Sequence, residues 1–130
     1  MYIENQRQVV KSMGEWLGGM PWDTFSTITY RYDIKAYQNF KIMTGLEEYL
    51  KTLGKPFNMF WVTEYTNYNF STHNHLLLKG DIKNDVNYHL KSKRLVGDHV
   101  KHLPYEDAAS MYVSKYICDT KTNWGIVKNK

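Results

Sequence analysis

Apolar residues between Ile3 and Leu17 fall at helical spacing: Ile3, Val9, Val10, Met13, Trp16 and Leu17, followed at once by Gly18-Gly19. This predicts an amphipathic helix over 3–17, stopped by glycine. From Trp22 to Tyr32 the pattern switches to alternation rich in Thr, Ile and Tyr, the signature of a strand. Ala36, Phe40, Met43, Leu46, Leu50 and Leu53 then form an apolar stripe of helical period, closed by Gly54-Lys55-Pro56. Two strand-like runs follow, 57–66 and 71–80, and the polar, Asn-rich stretch Thr66 to Phe70 between them suits a turn. A short helix over 85–93 and a short strand over 98–103 come next. Pro104 and the acids Glu106 and Asp107 then introduce a helix over 108–119, and Trp124 to Lys128 supplies a final edge strand.

Strand, helix, strand, strand, helix, strand is the order of a ferredoxin-like or RRM-like fold. The expected class is α+β, an antiparallel sheet with helices packed on one face. The chain has 130 residues, 42% of them hydrophobic, enough for one core. Repeats, low-complexity tracts and proline-rich linkers are missing, so residues 1–130 are expected to form a single domain.

The candidate chemistry lies on two of these elements. His73 and His75 are two residues apart in a strand, so both imidazoles point to the same face. If the preceding strand turns back beside them, Glu64 reaches the same place, and two His with one Glu make a three-ligand metal site with positions open for substrate. Imidazole plus carboxylate suits Mn²⁺, and abundant Mg²⁺ occupies such sites; zinc would also bind. On the helix over 108–119, Tyr112, Lys115 and Tyr116 are spaced i, i+3, i+4 and share a face. A phenol, with a pKa of about 10, is a weak nucleophile at neutral pH. A neighbouring cation favours the phenolate, and a metal makes a phosphate easier to attack. Metal triad and tyrosine helix together suggest a nuclease that attacks DNA with its own side chain.

The run His73-Asn74-His75-Leu76-Leu77-Leu78 resembles the second motif of the HUH endonucleases, the replication initiators, relaxases and transposases that nick single-stranded DNA. Tyr112-Val113-Ser114-Lys115-Tyr116 resembles their third motif, the nucleophile helix, in the form found in rolling-circle replication initiators. Phe25-Ser26-Thr27-Ile28-Thr29-Tyr30 resembles their first, a hydrophobic strand with alternating Thr. The three stand in the family's order and span most of the chain. Asn74 is a departure, because the residue between the histidines is usually hydrophobic. The resemblance implies a metal site on the sheet beside the tyrosine-bearing helix, with Glu64 as third ligand. It implies a covalent 5′-phosphotyrosine intermediate on Tyr112 and release of a 3′-OH that a polymerase can extend. Tyr116 is either an alternating second nucleophile or a supporting residue, with the supporting role preferred.

The remaining composition narrows the partners. A net charge of +4 biases the surface toward anions, and Lys91, Lys93, Arg94 and Lys101, with His99 and His102 nearby, form the candidate phosphate-contacting stretch. Eleven Tyr and four Trp, many beside Lys, Arg or Asn, suit stacking of unpaired bases; Asn67, Tyr68 and Asn69 at the expected hairpin tip are further candidates. With one cysteine, Cys118, no internal disulfide is expected, and no apolar run is long enough for a signal peptide or membrane span. A soluble cytoplasmic protein of the host cell interior, monomer or homodimer, is the expectation. No Walker-type Gly-Lys-Ser/Thr loop is present, so helicase and polymerase functions are assigned to separate or host proteins acting with single-stranded origin or hairpin DNA. The reading is a viral or plasmid rolling-circle initiator. Its rivals are a single-tyrosine HUH transposase, a non-catalytic single-strand binding module, and a zinc hydrolase that uses water in place of Tyr112.

Overall fold

The computed structural model describes residues 2–65, 72–97, 100–116 and 123–129. Nine elements run in the order α1 (Tyr2–Gly18), β1 (Thr24–Thr29), α2 (Ala36–Lys51), β2 (Phe57–Tyr65), β3 (Thr72–Lys79), α3 (Lys83–Ser92), β4 (Val100–Pro104), α4 (Ala108–Ser114) and β5 (Trp124–Asn129). Each expected element is present within a few residues. The helix expected over 108–119 is regular only to Ser114 and continues as a turn through Tyr116; Ile117 to Asp119 lie outside the described residues, as do Asn67, Tyr68, Asn69 and His99.

Five strands form one antiparallel sheet in the order β4-β1-β3-β2-β5. The first four reproduce the ferredoxin-like arrangement: β1 and β2 flank β3, so α2 must cross over, and α3 crosses from β3 to β4. The fifth strand extends the sheet at the β2 edge.

Side-chain alternation divides the sheet into two apolar faces. Phe57, Met59 and Trp61 of β2 and Leu76 and Leu78 of β3 point one way, where Met43, Leu46 and Leu50 of α2 and Val86 and Leu90 of α3 cover them. Phe60, Val62 and Leu77 point the other way, against Leu17 of α1 and Val113 of α4. Helices therefore pack on one face as expected for the two crossovers, while α1 and α4 cover part of the opposite face. Strands buried on both faces read as unbroken apolar runs, and Met59-Phe60-Trp61-Val62 and Leu76-Leu77-Leu78 are such runs. Most of these side chains are fully buried, each worth about 1.5–3 kcal/mol relative to exposure.

Local chemistry fixes the joints. The Gln38 side chain accepts the Lys35 backbone N–H at 3.0 Å, closing the start of α2. Past its end Gly54 takes φ +68°, a left-handed conformation that suits glycine. Gly80, at φ +103°, ends β3, where an added Cβ would come within 2.6 Å of the Pro56 carbonyl oxygen. On the second face Gly14 of α1 stands directly against Met111 of α4, leaving no room for a Cβ beside the sulfur. That close approach holds α4 and its tyrosine over β3.

Candidate active site

The register places the two candidate motifs together. Glu64 of β2 is the Cα partner of His73, and Val62 is the partner of His75. Residues facing each other across strands share a face, so Glu64, His73 and His75 all lie on the α1/α4 side. Glu64 reaches diagonally, and its Oε2 lies 2.8 Å from His75 Nε2. On the other flank of β3, Thr27 pairs with His75 and Thr29 with His73. Their hydroxyls meet the imidazoles: Thr27 Oγ1 is 3.2 Å from His75 Nδ1, and Thr29 Oγ1 is 2.9 Å from His73 Nδ1. The alternating threonines of β1 thus orient the alternating histidines of β3, a match of period two on neighbouring strands.

The electrostatics of the pair are asymmetric. Burial pushes the Glu64 carboxyl up, but the hydrogen bond and charge of His75, the Tyr116 hydroxyl and the charge of His73 outweigh it and hold Glu64 below its ordinary range. Burial lowers His75, overcoming the support of Glu64, and the charges of His73 and Lys115 push the same way. The pair is therefore a neutral imidazole donating Nε2–H to an ionised carboxylate. Its Nδ1 then accepts from the Thr27 hydroxyl.

This donor set fits a divalent cation in part. Among the described residues, no three His, Cys, Asp or Glu side chains gather closely enough to form a ready-made cluster. Glu64 and His75 do converge on one point, and His75 is held in the neutral form that a metal ligand requires. Ligation through Nε2 would move the His75 proton to Nδ1, and the Thr27 hydroxyl can accept as readily as it donates. His73, anchored by Thr29, is near enough for its charge to act on both Glu64 and His75.

Above this pair stands the end of α4. The Tyr112 ring meets the His75 ring edge-on at 5.3 Å, and the Tyr116 ring stacks on the same imidazole at 5.4 Å. Tyr116 donates to the Tyr112 hydroxyl at 3.2 Å, and its hydroxyl also interacts with Glu64. One hydroxyl carries one proton, so Tyr116 serves either Tyr112 or Glu64 at a given moment. Burial, followed by the Tyr112 hydrogen bond and the charge of Glu64, pushes Tyr116 far above the usual phenol range. Lys115 places its ammonium 4.1 Å from the Tyr112 ring centre and 5.0 Å from that of Tyr116. Tyr112 is 40% exposed and Tyr116 half-buried. The outer phenol is open to an incoming strand, and the inner one is held in place.

The basic residues separate. Lys101 is the Cα partner of Thr27, on the face of the histidines, and is exposed. Lys91, Lys93 and Arg94 are exposed at the end of α3, across the sheet from Tyr112. His102 departs from the surface role expected of it: it is half-buried, with Nδ1 2.6 Å from Ser26 Oγ and Nε2 2.8 Å from Asn87 Oδ1. Position 102 faces away from Lys101 by strand alternation, which turns it inward beneath α3.

Sequence reasoning passed over the underside of β3. Asn74 points away from the histidines into a closed, fully buried hydrogen-bond network. Its Nδ2 donates to Asn39 Oδ1 at 2.8 Å and to Tyr30 Oη at 3.0 Å, and its Oδ1 accepts from Thr63 Oγ1 at 2.9 Å. Tyr30 donates to Asn39 at 2.7 Å, and Asn39 donates to Thr63 at 2.6 Å. The departure at position 74 is thus compensated by polar residues on β1, α2 and β2. The signal in the sequence was the pair of polar residues, Asn39 and Thr63, inside otherwise apolar stretches.

A family model described as replication-associated protein, of the ORF2 type, matches residues 23–121, a span holding Glu64, His73, His75, Tyr112, Lys115 and Tyr116. No curated protein and no solved structure matches the chain. No helix among the described residues is long and apolar enough to cross a membrane.

Proposed function

The chain belongs to the ORF2-type family of replication-associated proteins, and on that footing we propose that it starts replication by nicking single-stranded DNA with Tyr112 and later rejoining the strand. The observation that carries this reading is the position of Tyr112: exposed, edge-on to His75, and within cation–π range of Lys115. The three features bring a nucleophile, the edge of the candidate metal site and a local positive charge to one spot of the sheet.

In the proposed reaction the Tyr112 oxygen attacks the scissile phosphorus. The new O–P bond forms as the P–O3′ bond breaks; the phenolic proton is given up and the departing 3′ oxygen takes one. The product is a 5′-phosphotyrosine and a free 3′-OH, and the bond energy kept in the linkage allows rejoining. Lys115 stabilises both the phenolate and the extra charge on the pentavalent phosphate. Tyr116, held protonated, donates to the Tyr112 oxygen as negative charge develops there. Glu64, His73 and His75 would hold the divalent ion, Mn²⁺ or Mg²⁺. Bound there, it would polarise a non-bridging phosphate oxygen. This is the chemistry of the HUH endonucleases. Strand separation and synthesis from the new 3′-OH fall to other proteins.

The test is a denaturing gel of protein incubated with labelled single strands of replicon DNA, with Mn²⁺ or with EDTA. A metal-dependent protein–DNA band that survives denaturant and is lost in Tyr112→Phe supports the reading. Cutting without a covalent band points to hydrolysis by water, and binding without cutting points to a single-strand binding module.

A further inference from the structure

Beside Tyr112, between β1, β4 and the first turn of α4, lies a hollow of about 380 Å³. Phe25, Leu103, Pro104, Glu106, Ala108 and Tyr112 line it. Phe25 forms a wall shared with the active site: its ring meets Tyr112 edge-on at 5.9 Å and stacks on His75 at 5.9 Å with an interplanar angle of 7°. Leu103 is 55% exposed, a large apolar side chain left open to water. No Lys or Arg lines the hollow, and its one charged residue is the carboxylate Glu106.

We propose that this hollow is a nucleobase subsite. It takes the unpaired base of a nucleotide flanking the scissile phosphate and prefers a base with an exocyclic amino group. The proposal rests on the nickase reading, because a phosphate seated at Tyr112 leaves the adjoining base within reach of the hollow. Charge selects the part of the nucleotide that enters. Lys115 lies over the Tyr112 ring and attracts phosphate, whereas an apolar hollow with a carboxylate repels phosphate and accepts the flat, weakly polar face of a base. Glu106 has only acceptors to offer, which favours amino-bearing cytosine, adenine or guanine over thymine. The size agrees: small-ligand clefts run from roughly 300 to 1,000 Å³, and seven lining residues fall far short of the roughly 20–30 that each partner brings to a stable protein interface. A base seated against Phe25 would also press on the ring that positions Tyr112, so loading the subsite aligns the nucleophile.

The test uses an oligonucleotide whose nick site has been mapped through its covalent adduct. An abasic residue is placed in turn on either side of the scissile phosphate, and adduct formation is timed for wild type, Ala108→Phe and Leu103→Glu. Ala108→Phe fills the hollow from an exposed helix position; Leu103→Glu makes its mouth anionic from an exposed position on an edge strand. At one of the two positions, base removal is expected to slow wild type by roughly tenfold, the scale of one stacked base, and to change the two variants far less. Replacing that base by thymine is expected to slow wild type and not Glu106→Ala. Equal abasic effects in wild type and both variants, with adduct still formed, overturn the subsite and leave the nickase standing. Failure of wild type to form any Tyr112 adduct overturns the nickase, and the subsite with it.

Discussion

The hydroxyls of Tyr112 and Tyr116 lie 3.2 Å apart, with Tyr116 as donor, and the two phenols differ in kind. Tyr116 is pinned between His75, Glu64 and Tyr112 and held protonated; Tyr112 faces solvent. A protonated, half-buried phenol is a hydrogen-bond donor and a poor nucleophile. Tyr116→Phe is therefore expected to keep the covalent adduct but form it more slowly. Loss of one hydrogen bond to a charged oxygen costs about 1.5–3 kcal/mol, roughly ten- to a hundredfold in rate. Single-turnover kinetics of adduct formation measure this, and a complete loss of adduct in Tyr116→Phe would contradict the supporting role.

The threonines of β1 act through the histidines. Thr27→Val and Thr29→Val each remove a hydroxyl from an Nδ1 and leave the ring orientation to packing alone. Losing such an outer partner typically weakens metal binding about 10- to 100-fold. Titration of Mn²⁺ by calorimetry is expected to show that weakening in both variants, with unchanged far-ultraviolet circular dichroism. Unaltered affinity in both would remove the histidines from the metal site.

Asn74 lies between the histidines yet serves the other face. Asn74→Val leaves Asn39, Tyr30 and Thr63 short of a partner in a buried place, a loss of about 1–3 kcal/mol for each unsatisfied group. Denaturant unfolding is expected to show that destabilisation. In the double variant Asn39→Leu with Asn74→Val, the combined loss is expected to be smaller than the sum of the two single losses, since one network is broken only once. Additive losses would mean that the network is not a unit.

Much of the site is written in local spacing. The period-two His73 and His75, the i, i+3, i+4 face of Tyr112, Lys115 and Tyr116, and the stripe of α2 all follow from geometry within one element. What local spacing leaves out is neighbourhood. That Thr27 and Thr29 serve the histidines depends on β1 lying beside β3 in the sheet, and that Asn74 meets Asn39 depends on α2 crossing beneath. The same gap explains the basic residues: Lys91, Lys93, Arg94 and Lys101 are close in sequence, but α3 and β4 put the first three on the other side of the sheet from Tyr112. Two apolar faces, and hence helices on both, were visible in the unbroken runs of β2 and β3, which an alternating one-sided pattern does not explain.

Stability should fall on acidification. Burial lowers His89, with Lys93 adding to it, and burial lowers His102, with Lys83 adding to it. A histidine whose folded pKa is depressed binds more protons when unfolded, at pH values between its folded and unfolded pKa. Its contribution is fully present above the unfolded value of about 6.5 and is lost as pH falls through the folded one. Unfolding free energy in EDTA is expected to decline below about pH 6.5, by at most about 1.4 kcal/mol per pH unit for each such proton. His102→Gln is expected to flatten that decline, and an unchanged slope would contradict the account of His102 as a buried neutral imidazole.

The identity of the covalent residue is the most direct measurement. Trypsin cuts after Lys101, Lys115 and Lys121, so Tyr112 falls in the peptide His102–Lys115 and Tyr116 in the next, Tyr116–Lys121. After nuclease trimming of the denatured adduct, mass spectrometry with fragmentation reads which tyrosine carries the nucleotide. Tyr112 as nucleophile predicts the added nucleotide monophosphate on the first peptide, at Tyr112 and not at Tyr105. A nucleotide found on Tyr116, or on neither peptide, would contradict it.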